Sequence, residues 1–215
     1  METNIDHFMF AVASLEEGLQ WAQDTFGVAA AYGGEHVGLG TRNALLSLGD
    51  TYLEIIAPDP AQNLEGNMGE RFSRLSQGGL VTWCARGDLA AIARTLNTEG
   101  VTTVGPNRTE RQTQEGELLV WELLFPQGSP YGPRLPFFID WLDCAHPSQT
   151  NPVAGSFQSI NITVPDAGGL KQILSSVGLD LAIAQGEPAL AIEIQSAKGP
   201  VTLTTTDETR QLSMR

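Results

Sequence analysis

One arrangement of elements, a strand followed by a helix and three further strands, is written three times along this chain. A repeat constrains architecture before any single residue does. The first copy opens with IDHFMFAV at residues 5–12 and closes with TYLEIIA at 51–57. The second opens with LVTWCARG at 80–87 and closes with PFFIDWL at 136–142. The third opens with FQSINITV at 157–164 and closes with PVTLTTT at 200–206. The repeat also lets matching positions be compared, and only some copies carry polar groups there.

Each opening strand runs into an amphipathic helix with a start and a stop signal. Ser14 caps the first, with Glu17 three residues on completing a capping box, and Gly27 ends it. Leu15, Leu19, Ala22 and Phe26 form its apolar stripe. Asp88 and Gly100 bracket the second, with Leu89, Ile92, Ala93 and Leu96 as its stripe. The third follows Pro165 and Asp166, carries Leu170, Ile173, Leu174 and Val177, and stops at Gly178. The intervening segments are short, β-branched or aromatic, and bounded by turn residues. RNALLSLG (42–49) and TYLEIIA predict one hairpin, and ALAIEIQ and PVTLTTT around SAKG predict another. ELLVWELLF (117–125) reads as a strand. The expectation is an α+β fold of βαβββ modules at residues 1–60, 78–144 and 156–206, with one helix on one face of each sheet. Curved mixed sheets would enclose a pocket on the other face. Residues 58–79 and 144–156 are linkers in this scheme, and the end from Asp207 reads as a frayed tail.

A chain of 215 residues with 41% hydrophobic content can bury a real core. Its formal net charge of −13 offers no electrostatic footprint for nucleic acid or an anionic membrane. Neither a signal peptide nor a membrane-spanning stretch is expected. The two cysteines, Cys84 and Cys144, lie in or beside apolar strands and read as buried free thiols. Together these features point to a cytoplasmic protein.

Several residues stand out as chemistry-bearing. The loop from His36 to Asn43 is glycine-rich and polar and leads into the first hairpin. Its glycines permit close backbone approach to a ligand. Arg42 suits a bidentate clamp on a carboxylate or phosphate, and Thr41 and Asn43 suit the orientation of a carbonyl or hydroxyl. In the second copy, alternation puts Phe138 and Asp140 on one strand face and Ile139 and Trp141 on the other. With Trp121, Phe138 suggests a wall for flat or apolar groups. Cys144 and His146 have nothing to orient them as a nucleophilic pair, and His146-Pro147 reads as a shaper of the linker.

The chain resembles the vicinal oxygen chelate superfamily of glyoxalases, bleomycin-resistance proteins and extradiol dioxygenases. The residues that carry this are His7 in its Ile5-Asp6-His7-Phe8 context and Glu54 in Tyr52-Leu53-Glu54. HVGLGTRNALLSLGDTYLEIIAPD (36–59), the 111–121 stretch, and LPFFIDW with Ala145-His146-Pro147 are similar to the glyoxalase-like domain branch. The resemblance implies a single glyoxalase-like domain over 1–206 with a ligand set drawn from two paired modules. Alignment on the helix starts places Val81 opposite His7, and alignment of the closing strands places Asp140 opposite Glu54. The implied metal ligands are His7, Glu54 and Asp140, with Mn, Fe, Ni or Zn as the ion. His36 joining His7 and a carboxylate would instead give the two-His set of Fe(II) oxygenases. The implied function is binding of a small molecule with adjacent oxygens, as a metal-dependent lyase, isomerase or dioxygenase, with His7 and Glu54 catalytic. Substrate contacts would come from His36, Thr41, Arg42, Asn43, Trp121 and Phe138. A non-catalytic binder that sequesters an aromatic compound is the alternative. An odd number of modules leaves one that packs internally or seeks a second subunit, and a homodimer is the expectation.

Overall fold

A computed structural model describes residues 2–112, 116 and 118–212. The first copy comprises β1 (Asn4–Ala11), α1 (Leu15–Phe26), β2 (Ala31–His36), β3 (Thr41–Ser47) and β4 (Tyr52–Pro58). A short helix, α2 (Met68–Phe72), precedes the second. That copy comprises β5 (Gly79–Arg86), α3 (Leu89–Thr98), β6 (Thr102–Gln112), β7 (Leu118–Gln127) and β8 (Phe137–Asp140). After α4 (Pro147–Thr150) come β9 (Gly155–Val164), α5 (Ala167–Ser176), β10 (Ile183–Gln185), β11 (Ala189–Ser196) and β12 (Gly199–Thr204). The fold is mixed α+β, and the βαβββ order recurs as the spacing of caps and glycines predicts. Glu117, the predicted start of the 117–125 strand, and the end of the tail at 213–215 lie outside the described residues. The tail before that is ordered as α6 (Asp207–Arg210), because Thr206 and Thr209 satisfy each other's backbone N–H in a capping box.

The chain divides into two compact units. The first holds Met1–His7, Trp83–His146 and Asn161–Ala189. The second holds Phe8–Thr82, Pro147–Ile160 and Leu190–Arg215. In the second unit the hydrogen-bonded strand order is β2-β3-β4-β1, and in the first it is β5-β8-β7-β6. Both copies therefore end on a strand lying beside the one that opened them. The third copy has the same chain order but another pairing. In the first unit β10 runs parallel to the end of β9, with Ile183 opposite Ile162. In the second unit β9 is followed by β11 and then β12, which pair antiparallel from Ala191↔Thr204 to Ser196↔Gly199.

In the second unit α1 begins where Ser14 accepts the N–H of Glu17, and ends at Gly27, whose φ of 74° is the left-handed conformation that a glycine stop supplies. The buried face is Leu15, Gly18, Ala22 and Phe26, so Gly18 takes the position expected for Leu19. A Cβ on Gly18 would meet Ile55 and Val12 side chains at 2.8 and 2.9 Å, which shows how closely α1 lies on its sheet. The Lys198 ammonium donates to the carbonyls of Gln23 (3.3 Å) and Asp24 (2.8 Å) at the end of α1, where a cation also complements the helix dipole. Phe8, Phe26, Leu46, Leu53, Ile55 and Ile56 form this core, with Leu190, Ile192, Ile194 and Leu203 of the last hairpin also buried. In the first unit Trp83, Ile92, Leu96, Leu124, Phe138, Leu170 and Leu174 are all fully buried. Trp83 Nε1 donates to the Arg134 carbonyl at 2.9 Å, which satisfies the indole at the centre of that core.

Candidate active site

Three adjacent strands of the second unit carry a buried polar network. Cross-strand register puts Thr41 opposite Pro58, Asn43 opposite Ile56, and Leu45 opposite Glu54, so Thr41, Asn43 and Glu54 share one sheet face. Asn43 Nδ2 donates to Glu54 Oε1 at 2.6 Å and reaches His36 Nε2 at 3.2 Å. Because Nδ2 is a donor, His36 Nε2 accepts, and His36 Nδ1–H then donates to Thr41 Oγ1 at 2.9 Å. His36 Nε2 lies 3.6 Å from Glu54 Oε1. Turning the Asn43 amide over would face its oxygen to the carboxylate, so the assignment is electrostatically fixed. Thr41, Asn43 and Glu54 are all buried, with Glu54 only 6% exposed on a strand that is otherwise apolar apart from its end.

Asn43 Oδ1 is buried without a hydrogen-bond partner among the described residues and lies against Gly33. An ideal Cβ at Gly33 would collide with that oxygen and meet Leu45 Cγ at 3.2 Å. Gly33→Ala should therefore push Asn43 off Glu54 and cost about 1–3 kcal/mol, the usual scale for forcing extra volume into a packed site. Thermal denaturation reads the cost, and the side-chain amide resonance of Asn43 reads the displacement. An unchanged melting temperature with an unchanged resonance would contradict this packing.

The first unit carries a second network, centred on Asp6. This carboxylate is fully buried. Asp6 Oδ1 is 2.6 Å from His7 Nδ1. Asp6 Oδ2 accepts Trp141 Nε1–H at 3.1 Å and lies 3.0 Å from His146 Nε2. Arg86 Nη1 stands 3.7 Å from Oδ2 and 3.2 Å from His146 Nε2, and donates to the Ile5 carbonyl at 3.3 Å. Burial pushes the Asp6 carboxyl up, but the hydrogen bonds and charges of His146 and His7 outweigh it and hold the group well below the ordinary carboxylate range. Asp6, His7 and Cys84 also present oxygen, nitrogen and sulfur atoms within 4.8 Å of one another, a group that could hold a metal ion. His7 packs edge-on to Phe137 at 5.4 Å, and Phe137 stacks on Phe125 at 5.5 Å.

Asp6 was not among the residues singled out from sequence, although a carboxylate inside the apolar run IDHFMFAV was a signal. His146 is no mere linker residue; it faces Asp6 across 140 positions of chain. Trp141 and Arg86 were likewise not foreseen as its partners.

Strand register also relocates the metal-set comparison. Val12 N–H donates to Ile56 O in the first copy, and Gly87 N–H donates to Ile139 O in the second. Matching those two bonds places Phe137 opposite Glu54 and Thr82 opposite His7, in place of Asp140 and Val81. Asp140 instead accepts the N–H of Leu142 at 2.9 Å and turns the chain where Leu142 has a φ of 52°. Arg42 points away from Asn43, as strand alternation requires, and its Nη2 donates to Glu16 on α1 at 2.7 Å. Phe138 is fully buried and belongs to the core of the first unit. Trp121 packs on Trp141 at 5.5 Å, beside the Asp6 cluster.

The recurring βαβββ modules define a glyoxalase-type α+β protein. Residues 5–178 match the family described as glyoxalase-like domain, and the chain belongs to that family. Among curated proteins no significant match is found. Among solved structures, a hypothetical protein from Staphylococcus aureus is similar with a TM-score of 0.68 at 18% identity, over 87% of this chain and 88% of that one. Methylmalonyl-CoA epimerase from Mycobacterium tuberculosis gives 0.47 at 23% identity, over 63% and 85%. A Streptomyces coelicolor methylmalonyl-CoA epimerase in complex with 2-nitronate-propionyl-CoA gives 0.46 at 18%, over 65% and 96%. Among the described residues no helix is long and apolar enough to cross a membrane.

Proposed function

We propose that this protein is a glyoxalase-type enzyme for a small molecule with adjacent oxygen atoms, with Glu54 as its proton-transferring group. The observation that carries this reading is the network of buried Glu54, Asn43 and Thr41 with the half-buried His36. A buried carboxylate costs several kcal/mol to desolvate, and hydrophobic residues of the same size would serve a core as well or better. Asn43 fixes Oε1 of Glu54 in place, which a general base needs if it is to meet a C–H or O–H proton at a defined point. His36, held in one tautomer by Thr41 and Asn43, stands next to that carboxylate as a second proton-handling group.

A divalent ion belongs to this reading, from among Mn, Fe, Ni and Zn. His7 fits such an ion, because it stands with Asp6 and Cys84 in a group whose nitrogen, oxygen and sulfur atoms lie within 4.8 Å of one another, a donor set suited to these ions. When bound, the ion would polarise the substrate's adjacent oxygens and stabilise negative charge developing on them. Elemental analysis of protein purified without chelator or nickel resin tests this. We expect about one equivalent of metal per chain, lost in His7→Ala. A metal-free protein that takes up none of the four ions would overturn the metal part. Hemithioacetals of 2-oxoaldehydes and catechols are the first substrates to screen.

The second reading, sequestration of a small molecule without turnover, is favoured by Thr82 and Phe137. At the register positions that match His7 and Glu54, the second copy brings neither an imidazole nor a carboxylate.

A further inference from the structure

We infer that the free edge of β6 is where a second copy of this chain pairs, antiparallel and two-fold symmetric about Thr109. β6 is the last strand in the order β5-β8-β7-β6, and no strand lies beyond it among the described residues. Its neighbours fix the direction of its backbone. Val120 N–H donates to Cys144 Sγ at 3.1 Å, away from β6. The Leu123 carbonyl faces β6, so close to Gly105 that a Cβ there would collide with it. Leu119, Trp121 and Leu123 therefore turn their N–H and C=O toward β6, and Val120 and Glu122 turn theirs away. Register sets Thr109 opposite Trp121 and Arg111 opposite Leu119, so both bond to β7. Arg108, opposite Glu122, and Glu110, opposite Val120, direct their N–H and C=O out of the sheet.

An open edge is a template for another strand, and charges on it normally block pairing. Here the charges alternate in sign and select one register. Arg108 and Glu110 are exposed and share one face of β6. With the two-fold axis on Thr109, Arg108 of one copy stands opposite Glu110 of the partner subunit, and symmetry repeats the pair. Each pair joins two outward-facing backbones, so both of its ladder hydrogen bonds form. Moving the axis to Arg108 or to Glu110 sets a charge against its own kind, which is destabilising. Placing the axis between two residues sets an outward-facing backbone against one already bonded to β7. Pro106, which has no N–H, and the bulge between Val104 and Asn107 end the regular run on one side. A run this short buries less than the ~1,200 Å² of a stable complex, so the dimer dissociates on dilution.

Sedimentation equilibrium of the full chain over a concentration series tests this. We expect a monomer–dimer equilibrium at low salt that weakens as salt screens the paired charges. Glu110→Arg should weaken dimerisation about tenfold or more, because it turns both opposite-charge pairs into like-charge pairs. Position 110 faces Val120 within the chain, so this variant sets no like charge against β7 and decides the point by itself. Arg108→Glu should weaken dimerisation as well, although it also faces Glu122. Mixing the two variants should restore association, since an edge with two arginines then meets an edge with two glutamates. A wild-type protein that stays monomeric at every concentration would overturn the inference. A dimer left unchanged by Glu110→Arg would overturn it too, because the contact would then lie on another surface. A mixture that fails to regain association would overturn the register about Thr109.

Discussion

Glu54→Gln should lower turnover by about 10²–10⁴-fold, the range that a positioned general acid or base contributes. The substitution is chosen because it removes the proton acceptor and little else. Glutamine presents an oxygen where Glu54 Oε1 now accepts from Asn43 Nδ2 at 2.6 Å. The weakening of a charge-assisted hydrogen bond to a neutral one should cost stability only about 1 kcal/mol. His36 Nε2, 3.6 Å from Glu54, keeps its donor from Asn43, so the network should hold its shape. The measurement is kcat on whichever screened substrate turns over, beside a thermal melt. Full turnover in the variant would remove Glu54 from the chemistry. Ligand affinity retained in a protein with no turnover in either form would select the sequestration reading.

Trp83→Ala should destabilise the first unit by about 3–5 kcal/mol, the cost of truncating a large buried aromatic to a methyl. Trp83 is fully buried and is the largest side chain in that class. The truncation also strands the Arg134 carbonyl, which now accepts the indole N–H at 2.9 Å in a region where Arg134 itself is buried. Trp83→Phe separates the two contributions. It keeps most of the packing and loses the hydrogen bond, so it should cost about 1–3 kcal/mol, the penalty for one unsatisfied buried group plus lost volume. Urea denaturation of both variants reads the difference. An alanine variant within 1 kcal/mol of wild type would contradict the central place of Trp83 in this core.

The module repeat and its helices were legible because their signals are local. Ser14, Asp88 and Asp166 each accept a backbone N–H at a helix start, and Gly27 closes the first helix in the left-handed conformation. The antiparallel hairpins were legible from turn residues between β-rich runs. Register was not. The closing strand β8 is four residues long, and letters alone do not say which of them lies opposite Gly87. A shift of three residues separates Asp140 from Phe137, and it changes a carboxylate into an aromatic ring. The third copy's pairing was hidden for a related reason, since local pattern specifies that a segment is a strand and leaves its neighbour open.

The site divides in the same way. His36, Thr41, Asn43 and Glu54 come from one hairpin and its edge strand, and strand alternation links them in the sequence itself. The same alternation would have set Arg42 on the other face, against Glu16. The Asp6 cluster gathers residues 6, 7, 86, 141 and 146, and no window of sequence contains both Asp6 and His146. Pro147 drew His146 into a linker reading because a proline signals locally and a partner 140 residues away does not.

The family match ends at residue 178, yet the second unit does not end there. A chain cut at that boundary would lose Leu190, Ile192, Ile194 and Leu203, each buried and each worth about 1.5–3 kcal/mol of burial. It would also lose Lys198, whose ammonium closes the far end of α1 in the first copy. The segment that matches the family should therefore be less stable by itself than the full chain, as a thermal melt of the two would show. The last hairpin completes the core of the second unit, so a stable form of the glyoxalase-like portion should extend through β12.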